Sequence, residues 1–350
     1  MSNPAPVAPS PAVARFMDAQ IEMAHGAGGK ATRRLIDGLI APILIGPTAE
    51  LGDAALVELG GAALALTADS FVVRPLQFPG GSIGELAVNG TVNDLAVAGA
   101  QPRTLLVTLV LEAGLATDVL ERELRAIAAA ARRAGVSIVG GDTKVVEHGR
   151  ADGIYITTAG IGIKDARANL SAALVRPGDQ VVLSGYIGDH GCAVMLARGG
   201  MALDAALMSD TRSVWPMIDR LLDAVGPSLR WMRDPTRGGV ATALNELARD
   251  TNLAIAIREE RIPVRDEVRG VCELLGLDPL HIANEGQFLA VVAPEGAHDA
   301  LAAIHAAGGH AAAIIGEVRE VPVRTVIAES AYGGARVIDM LVGDPLPRIC

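Results

Sequence analysis

The last residues of the chain run Asp344, Pro345, Leu346, Pro347, Arg348, Ile349, Cys350, so a thiol stands at the very end behind two prolines. A thiolate is a strong, soft nucleophile, and a Pro-stiffened terminal segment is a semi-rigid arm that can carry it between sites. A terminal cysteine also arises by chance, so the body of the chain has to decide. Five aspartates sit beside glycines or after apolar runs, where strands should end: Asp53, Asp69, Asp94, Asp142 and Asp234. Each alone reads as a turn or helix-cap residue. Together, from several loops, such hard oxygen ligands suit Mg2+ bound to the phosphates of a nucleotide, because without a cation they would repel one another.

Other polar positions extend that reading. Glu85, Asn89 and Asn93 recur every four residues along an otherwise apolar helical stretch, Ser82 to Ala98, and are expected to line a polar site. In His25-Gly26-Ala27-Gly28-Gly29-Lys30 the glycines would let backbone N–H groups approach phosphates, with Lys30 adding charge. The loop matches GxGxxA, but no apolar strand precedes it, so a Rossmann site fails its context test. A Walker A loop is excluded, since Ala31 follows Lys30 and Ala24 stands where its first glycine belongs. Lys144, beside Asp142, and Glu285, in Asn284-Glu285-Gly286, are candidates for acid and base work in Gly-flanked loops. Asp189-His190-Gly191 reads as a helix cap or a hydroxyl-reading turn.

Composition limits the partners. The 350 residues are half hydrophobic but only 3% aromatic, with a net charge of -10, which opposes binding to nucleic acid or an anionic membrane. No signal-peptide core and no membrane-length apolar run is present, so a cytoplasmic protein is expected. Cys192, Cys272 and Cys350 form an odd set without CxxC spacing, which argues against a disulfide framework or zinc. Cys192 and Cys272 read as packing residues within helices. The terminal Cys lies outside a CaaX box.

The elements that must position these residues fall into two groups. Residues 1–19 are Pro- and Ala-rich and read as a disordered extension. From 20 to 165, strand-like runs (Ala62–Thr67, Thr104–Leu111, Val136–Val139, Gly153–Ile163) alternate with helical patterns over Ile83–Ala98 and Asp118–Ala134, giving an α+β domain. From 166 to 335, a strand at Asp179–Ser184 is followed by repeated helix and strand units at Cys192–Ala197, Trp215–Val225, Val240–Asp250, Ala254–Ile257, Val268–Leu275, Phe288–Ala293, Ala297–Ala307 and Ala311–Val318. This is an α/β domain. The remainder, 336–350, reads as a tail beyond the folded body.

Several strings carry a more specific signal. Thr67-Ala68-Asp69-Ser70-Phe71-Val72-Val73, Phe78-Pro79-Gly80-Gly81, Asn93-Asp94-Leu95-Ala96, Gly140-Gly141-Asp142-Thr143-Lys144, Gly188-Asp189-His190-Gly191, Met232-Arg233-Asp234-Pro235-Thr236-Arg237-Gly238-Gly239 and Pro347-Arg348-Ile349-Cys350 resemble the HypE family of nickel–iron hydrogenase maturation proteins. The match runs in order over nearly the whole chain after residue 20. It implies a PurM-like fold of the aminoimidazole ribonucleotide synthetase and selenophosphate synthetase superfamily: a homodimer whose N-terminal strands form a shared barrel, with ATP near the interface. In that family the terminal thiol receives a carbamoyl group from the carbamoyltransferase HypF. ATP then drives dehydration to a thiocyanate, and cyanide passes to iron on a scaffold of HypC and HypD.

Carried residue by residue, the resemblance implies Cys350, Lys144 and Glu285 as catalytic groups. It implies His25, Gly28, Lys30, Asn89, Asn93, Asp142 and Thr143 at the nucleotide, and Asp53, Asp69, Asp94 and Asp234 as Mg2+ ligands. Gly52 stands where relatives carry a second polar residue, and the N-terminal extension is longer than the family pattern. The rival readings are another superfamily member, a selenophosphate synthetase or thiamine monophosphate kinase, and a non-catalytic scaffold with a cysteine tail. The terminal Cys disfavours the first, and ATP turnover would separate the second.

Overall fold

The computed structural model describes residues 15–45, 52–199, 206–343 and 348–350. In the N-terminal domain the strands β1 (Ala55–Leu59), β2 (Ala62–Phe71), β3 (Ala100–Glu112), β4 (Ser137–Val146) and β5 (Ile154–Lys164) form a sheet in the order β1-β2-β5-β3-β4. Only the β3–β4 pair is parallel, and α2 (Thr117–Ala134) provides the crossover that a parallel pair needs. Helix α1 (Ile83–Val97) crosses one face of the sheet, where Ile154, Ile156 and Thr158 of β5 alternate inward. Nearly every residue of α1 is buried, as expected of a helix covered on all sides. Its N-terminus is closed by the buried Glu123 carboxylate, which accepts from Gly84 N–H at 3.1 Å and from Gln77 Nε2 at 3.1 Å.

The opposite face of this sheet is uncovered within one chain. Leu66 pairs directly with Ile161, and both remain exposed together with Leu106, Ile163 and Val57. Strand β4 continues well past the expected end at Val139, so Gly140–Lys144 lies in a strand rather than a loop. The reason is local: a Cβ on Gly141 would sit 1.7 Å from the Val107 carbonyl oxygen, so only glycine lets β4 approach β3 that closely.

The C-terminal domain adds β6 (Gln180–Leu183), β7 (Leu229–Arg233), β8 (Ala254–Arg258), β9 (Leu289–Val292), β10 (Ala313–Arg319), β11 (Thr325–Glu329) and β12 (Ala335–Ile338), in the order β12-β11-β8-β10-β6-β9-β7. Continuous apolar runs such as Val181-Val182-Leu183 are buried on both faces of the sheet. One face packs against α5 (Gly239–Thr251), and the other against α4 (Trp215–Val225) and α7 (Ala297–Ala306). Helices α3 (Asp189–Ala197) and α6 (Asp266–Leu275) belong to a cluster that also includes α1 residues, joining the two domains. Cys192 and Cys272 pack there with their sulfurs 4.0 Å apart, as expected of helix packing residues.

The ends of the chain depart from the sequence reading. Phe16 N–H donates to Gly38 O at 3.2 Å and Asp18 pairs with His25, so residues 15–19 of the expected extension belong to the fold, and residues 1–14 lie outside the described residues. Ala335–Ile338 pairs with Thr325–Glu329, which makes the start of the expected tail part of the sheet. Nor does Cys350 lie beyond the folded body. Ile349 is 3% exposed in the cluster between the domains, and Cys350 packs half-buried against it.

Candidate active site

Segments from both domains meet at a cavity of about 430 Å3. Strand β2 supplies Thr67 and Asp69, α1 supplies Asp94, the end of β7 supplies Arg233, Asp234 and Arg237, and the wall closes with Asp53, Glu285 and Cys350. Oxygens of Asp53, Asp94 and Asp234 all lie within 4.8 Å of one another. Around them, Thr67 Oγ1 donates to Asp94 Oδ2 at 2.8 Å. Arg233 Nε pairs with Asp53 Oδ1 at 2.9 Å, while its Nη2 reaches Glu246 Oε2 at 3.1 Å. Arg33 Nη1 reaches the other oxygen of Glu246 at 3.1 Å, tying the short helix Lys30–Leu35 to α5.

Burial sets the electrostatics. It raises the Asp94 carboxyl well above its usual range, and the neighbouring Asp234, Asp53 and Asp69 charges push it further. Burial likewise raises Asp234 to about 8, with Asp53 adding to the rise and Arg233 opposing it. Asp53 is raised for the same first reason. Three carboxyls that resist ionisation only because they are close, dry and like-charged are a donor set suited to a hard divalent cation.

Glu285 is also pushed well above the usual carboxylate range, first by burial and then by Asp234, Asp69 and Asp210. Its backbone is clamped, since Asp210 accepts from the N–H groups of Glu285 and Gly286, each at 3.1 Å. Gly90 of α1 leaves the space that brings the helix beside it: a Cβ there would lie 2.8 Å from the Phe71 ring and 3.9 Å from Glu285 Oε2. Arg237 is held more strongly charged than an ordinary arginine, chiefly by the charge at Cys350, with Asp69, Glu285 and Asp94 contributing. A carboxyl with a raised affinity for protons, an arginine and the terminal cysteine thus line one cavity.

The end of the chain is anchored from several sides. Val72 N–H donates to the Cys350 backbone oxygen at 3.1 Å, Arg348 Nη2 to Val72 O at 3.0 Å, and Arg348 Nη1 pairs with Asp152 at 2.6 Å. His190 Nε2 lies 2.9 Å from Ile349 O.

Of the residues expected at the site, Asp53, Asp94 and Asp234 come together, and Asp69, Gly28, Glu285 and Cys350 line the same cavity. The others do not reach it within one chain. His25 is a buried lock, its Nε2 2.9 Å from Asp18 and its Nδ1 accepting from Glu22 N–H. Lys30 pairs with Asp339 at the surface. Asn89 donates to Thr211 and Asn93 to the carbonyls of Arg212 and Glu285, so the amide stripe joins α1 to the C-terminal domain instead of lining a nucleotide pocket. Asp142 and Lys144 pair with each other on exposed β4, and Thr143 lies on that strand as well. The first two share the uncovered sheet face with Leu106, because Thr108 stands opposite Asp142 and Val110 opposite Lys144. Sequence reasoning passed over Arg233, Arg237, Glu246 and Asp210. The available signal was the pair of arginines bracketing Asp234-Pro235-Thr236.

Comparison with known proteins shows the family. The AIR synthase related protein family matches in two parts, its N-terminal domain over residues 51–164 and its C-terminal domain over residues 176–329. Carbamoyl dehydratase HypE of Rhizobium leguminosarum bv. viciae is 46% identical over 333 residues, covering 95% of both chains. The Escherichia coli (strain K12) carbamoyl dehydratase HypE is 42% identical over 337 residues, covering 94% of this chain and 99% of that one. The chain belongs to the HypE family. Among solved structures, HypE in a HypE–HypF complex superposes with a TM-score of 0.82 at 42% identity, covering 88% of this chain and 99% of that one. HypE in complex with ATP gives 0.79 at 41% identity, covering 94% and 99%. Thiamine monophosphate kinase from Aquifex aeolicus, at 19% identity and a TM-score of 0.61, shares the fold alone.

Proposed function

We propose that this member of the HypE family is an ATP-dependent carbamoyl dehydratase that converts an S-carbamoyl group on Cys350 into a thiocyanate for nickel–iron hydrogenase maturation. The observation that carries this reading is that Cys350, Glu285 and the Asp53–Asp94–Asp234 group line one enclosure. The net change is R–S–CO–NH2 plus ATP to R–S–C≡N plus ADP, phosphate and a proton. An amide oxygen is a very poor leaving group, and transfer of the γ-phosphoryl group to it makes phosphate the leaving group. Loss of the N–H protons then needs a base within hydrogen-bond reach of the modified tail.

Glu285 is the group placed for that proton. Its raised affinity for protons, caused first by burial, makes it a stronger base than an exposed carboxylate once ionised. Arg237 holds the tail and any anionic group built on it, since it lines the same cavity and already faces charge at Cys350. Asp53, Asp94 and Asp234 would hold Mg2+, with Asp69, which lines the same cavity, as a further ligand. When bound, the cation neutralises charge developing on the transferred phosphoryl group.

Lys144, Asp142 and Thr143 enter through a second copy of the chain. The uncovered apolar face bearing Leu66, Leu106, Ile161 and Ile163 is larger and more continuous than the scattered apolar residues of a monomer surface, and it suits a shared barrel between two copies. With that face closed, the Asp142–Lys144 pair lies in the interface, where ATP also belongs. HypF is the proposed donor of the carbamoyl group, and HypC and HypD hold the iron that takes cyanide, all in the cytoplasm.

Intact-protein mass spectrometry of S-carbamoylated protein given Mg-ATP tests the reading. Wild type should lose one water from the loaded tail, whereas Glu285→Gln should retain the full carbamoyl mass. Unimpaired water loss in the variant would remove Glu285 from the mechanism.

A further inference from the structure

His190, the second residue of α3, is 0% exposed, and both ring nitrogens are engaged. Nε2 is 2.9 Å from the Ile349 carbonyl oxygen and Nδ1 is 2.8 Å from Ser209 Oγ. A carbonyl only accepts, so Nε2 carries the proton and Nδ1 takes the Ser209 hydroxyl hydrogen. The ring has no freedom to choose otherwise. Ser209 is itself fixed, donating its N–H to Pro79 O at 2.8 Å and accepting at Oγ from Thr211 N–H at 3.1 Å, and the Phe78 ring meets the imidazole edge-on at 5.4 Å. Burial lowers His190 to about 4, so near neutral pH it presents one N–H donor and no charge.

That donor ends on the peptide one residue before the reactive sulfur. Of the other anchors, Val72 N–H holds the Cys350 backbone oxygen at 3.1 Å, Arg348 contacts Val72 O and Asp152, and the Ile349 side chain fills the cluster between the domains. An apolar side chain in a pocket sets depth but leaves rotation about the chain axis, whereas hydrogen bonds to the carbonyls on both sides of the Cys350 α-carbon, from Val72 and from His190, fix that rotation and hence the direction of its side chain, and His190 is the side-chain half of that pair.

We propose that His190 is a positioning residue for the dehydration step: its Nε2–H, oriented by Ser209, grips the Ile349 carbonyl and aims the loaded Cys350 into the acidic cavity. The proposal rests on the carbamoyl dehydratase reading for its chemistry, but the grip itself can be measured without it. The capping reading of Asp189-His190-Gly191 gives way here to contact with the far end of the chain.

The test uses full-length protein and two readouts. The first is the rate of Cys350 alkylation by iodoacetamide, resolved by peptide mass, with buried Cys192 and Cys272 reporting any unfolding. The second is the single-turnover rate of water loss from S-carbamoyl Cys350 with Mg-ATP. His190→Ala should alkylate Cys350 about tenfold faster and dehydrate about tenfold slower, the factor one ordinary buried hydrogen bond supplies. His190→Gln, which offers an amide N–H, should recover most of both, and Ser209→Ala should fall between. Unchanged alkylation in His190→Ala, or His190→Gln no better than His190→Ala, overturns the proposal. Should the Ala variant expose Cys192 or Cys272, His190→Gln against Ser209→Ala decides it, with faster tail alkylation expected in Ser209→Ala and the reverse order overturning the grip. Faster alkylation in His190→Ala alongside a wild type that loses no water would sink the dehydratase reading and leave the grip standing.

Discussion

The acidic cavity and strand β4 carry residues of the same expected centre, yet one chain assembles the first and leaves the second on an open sheet. Asp53, Asp94 and Asp234 converge because the buried helix α1 is tied to the C-terminal domain by Asn93, and Arg233 beside Asp234 pairs with both Asp53 and Glu246. Gly140–Lys144 is nearly as regular, but its outward side chains meet only each other and the apolar face beside them. Convergence within a chain therefore follows burial, and residues on an uncovered face wait for a partner surface.

The sharpest break of that comparison comes from the tail. Cys350→Ser should abolish thiocyanate formation, measured as complete absence of the dehydrated mass, because the serine hydroxyl stays un-ionised near neutral pH and is a far poorer nucleophile than the thiolate. Any dehydrated product would detach the chemistry from the cavity that Cys350 lines. Next, Asp94→Asn or Asp234→Asn should lower the single-turnover rate about a hundredfold or more, through lost cation binding and charge stabilisation. Retained Mg2+ binding by isothermal titration in either variant would dissolve the cluster as a cation site.

Mixed dimers probe the other half. Lys144→Ala and Glu285→Gln are each expected to be inactive as homodimers, but their mixture should regain activity if one site draws Lys144 and Glu285 from different copies. No recovery in the mixture would return Lys144 to the surface role it has within one chain. Stability responds to pH with a definite sign. Asp234 titrates at about 8 in the folded chain against roughly 4 when unfolded, so between these values the folded state holds the extra proton. Its contribution to stability therefore falls as pH rises from about 4 toward 8 and levels off above. Thermal melts in EDTA should follow that slope, and added Mg2+ should raise Tm more at pH 8 than at pH 6. Equal Mg2+ shifts at both would contradict a carboxylate site. The smallest effect concerns the frame: Asn93→Ala, leaving buried partners of the amide unsatisfied, should destabilise the protein by about 1–3 kcal/mol in urea denaturation.

Much of the frame was legible beforehand. Long apolar runs and sustained helical periods marked β3, β5, α1, α2 and α4 within a few residues, since burial of whole elements leaves a strong pattern. The strands Ala55–Leu59, Leu229–Arg233 and Thr325–Glu329 escaped, being short or interrupted by charge. Gly140-Gly141 read as a loop because glycine usually marks one, whereas here its missing side chain admits a neighbouring strand. At the site, the aspartates were visible as residue types but not as a set. Asp142 and Asp94 look alike in sequence, and the asparagines of α1 look like ligands until their partners across the domain boundary are known.

By itself the sequence determined the supply of chemistry: aspartates beside glycines and apolar runs, glycines for close approach, a basic and an acidic residue in suitable settings, and a thiol at the terminus. Tertiary structure alone decided which of these meet, that Asp53, Asp94 and Asp234 form the group, that Arg237 faces the tail, and that Ile349 draws Cys350 inward under His190. Ionic and hydrogen-bond interactions act over a few ångströms, and residues hundreds of positions apart come within that range only when apolar burial has fixed the elements carrying them.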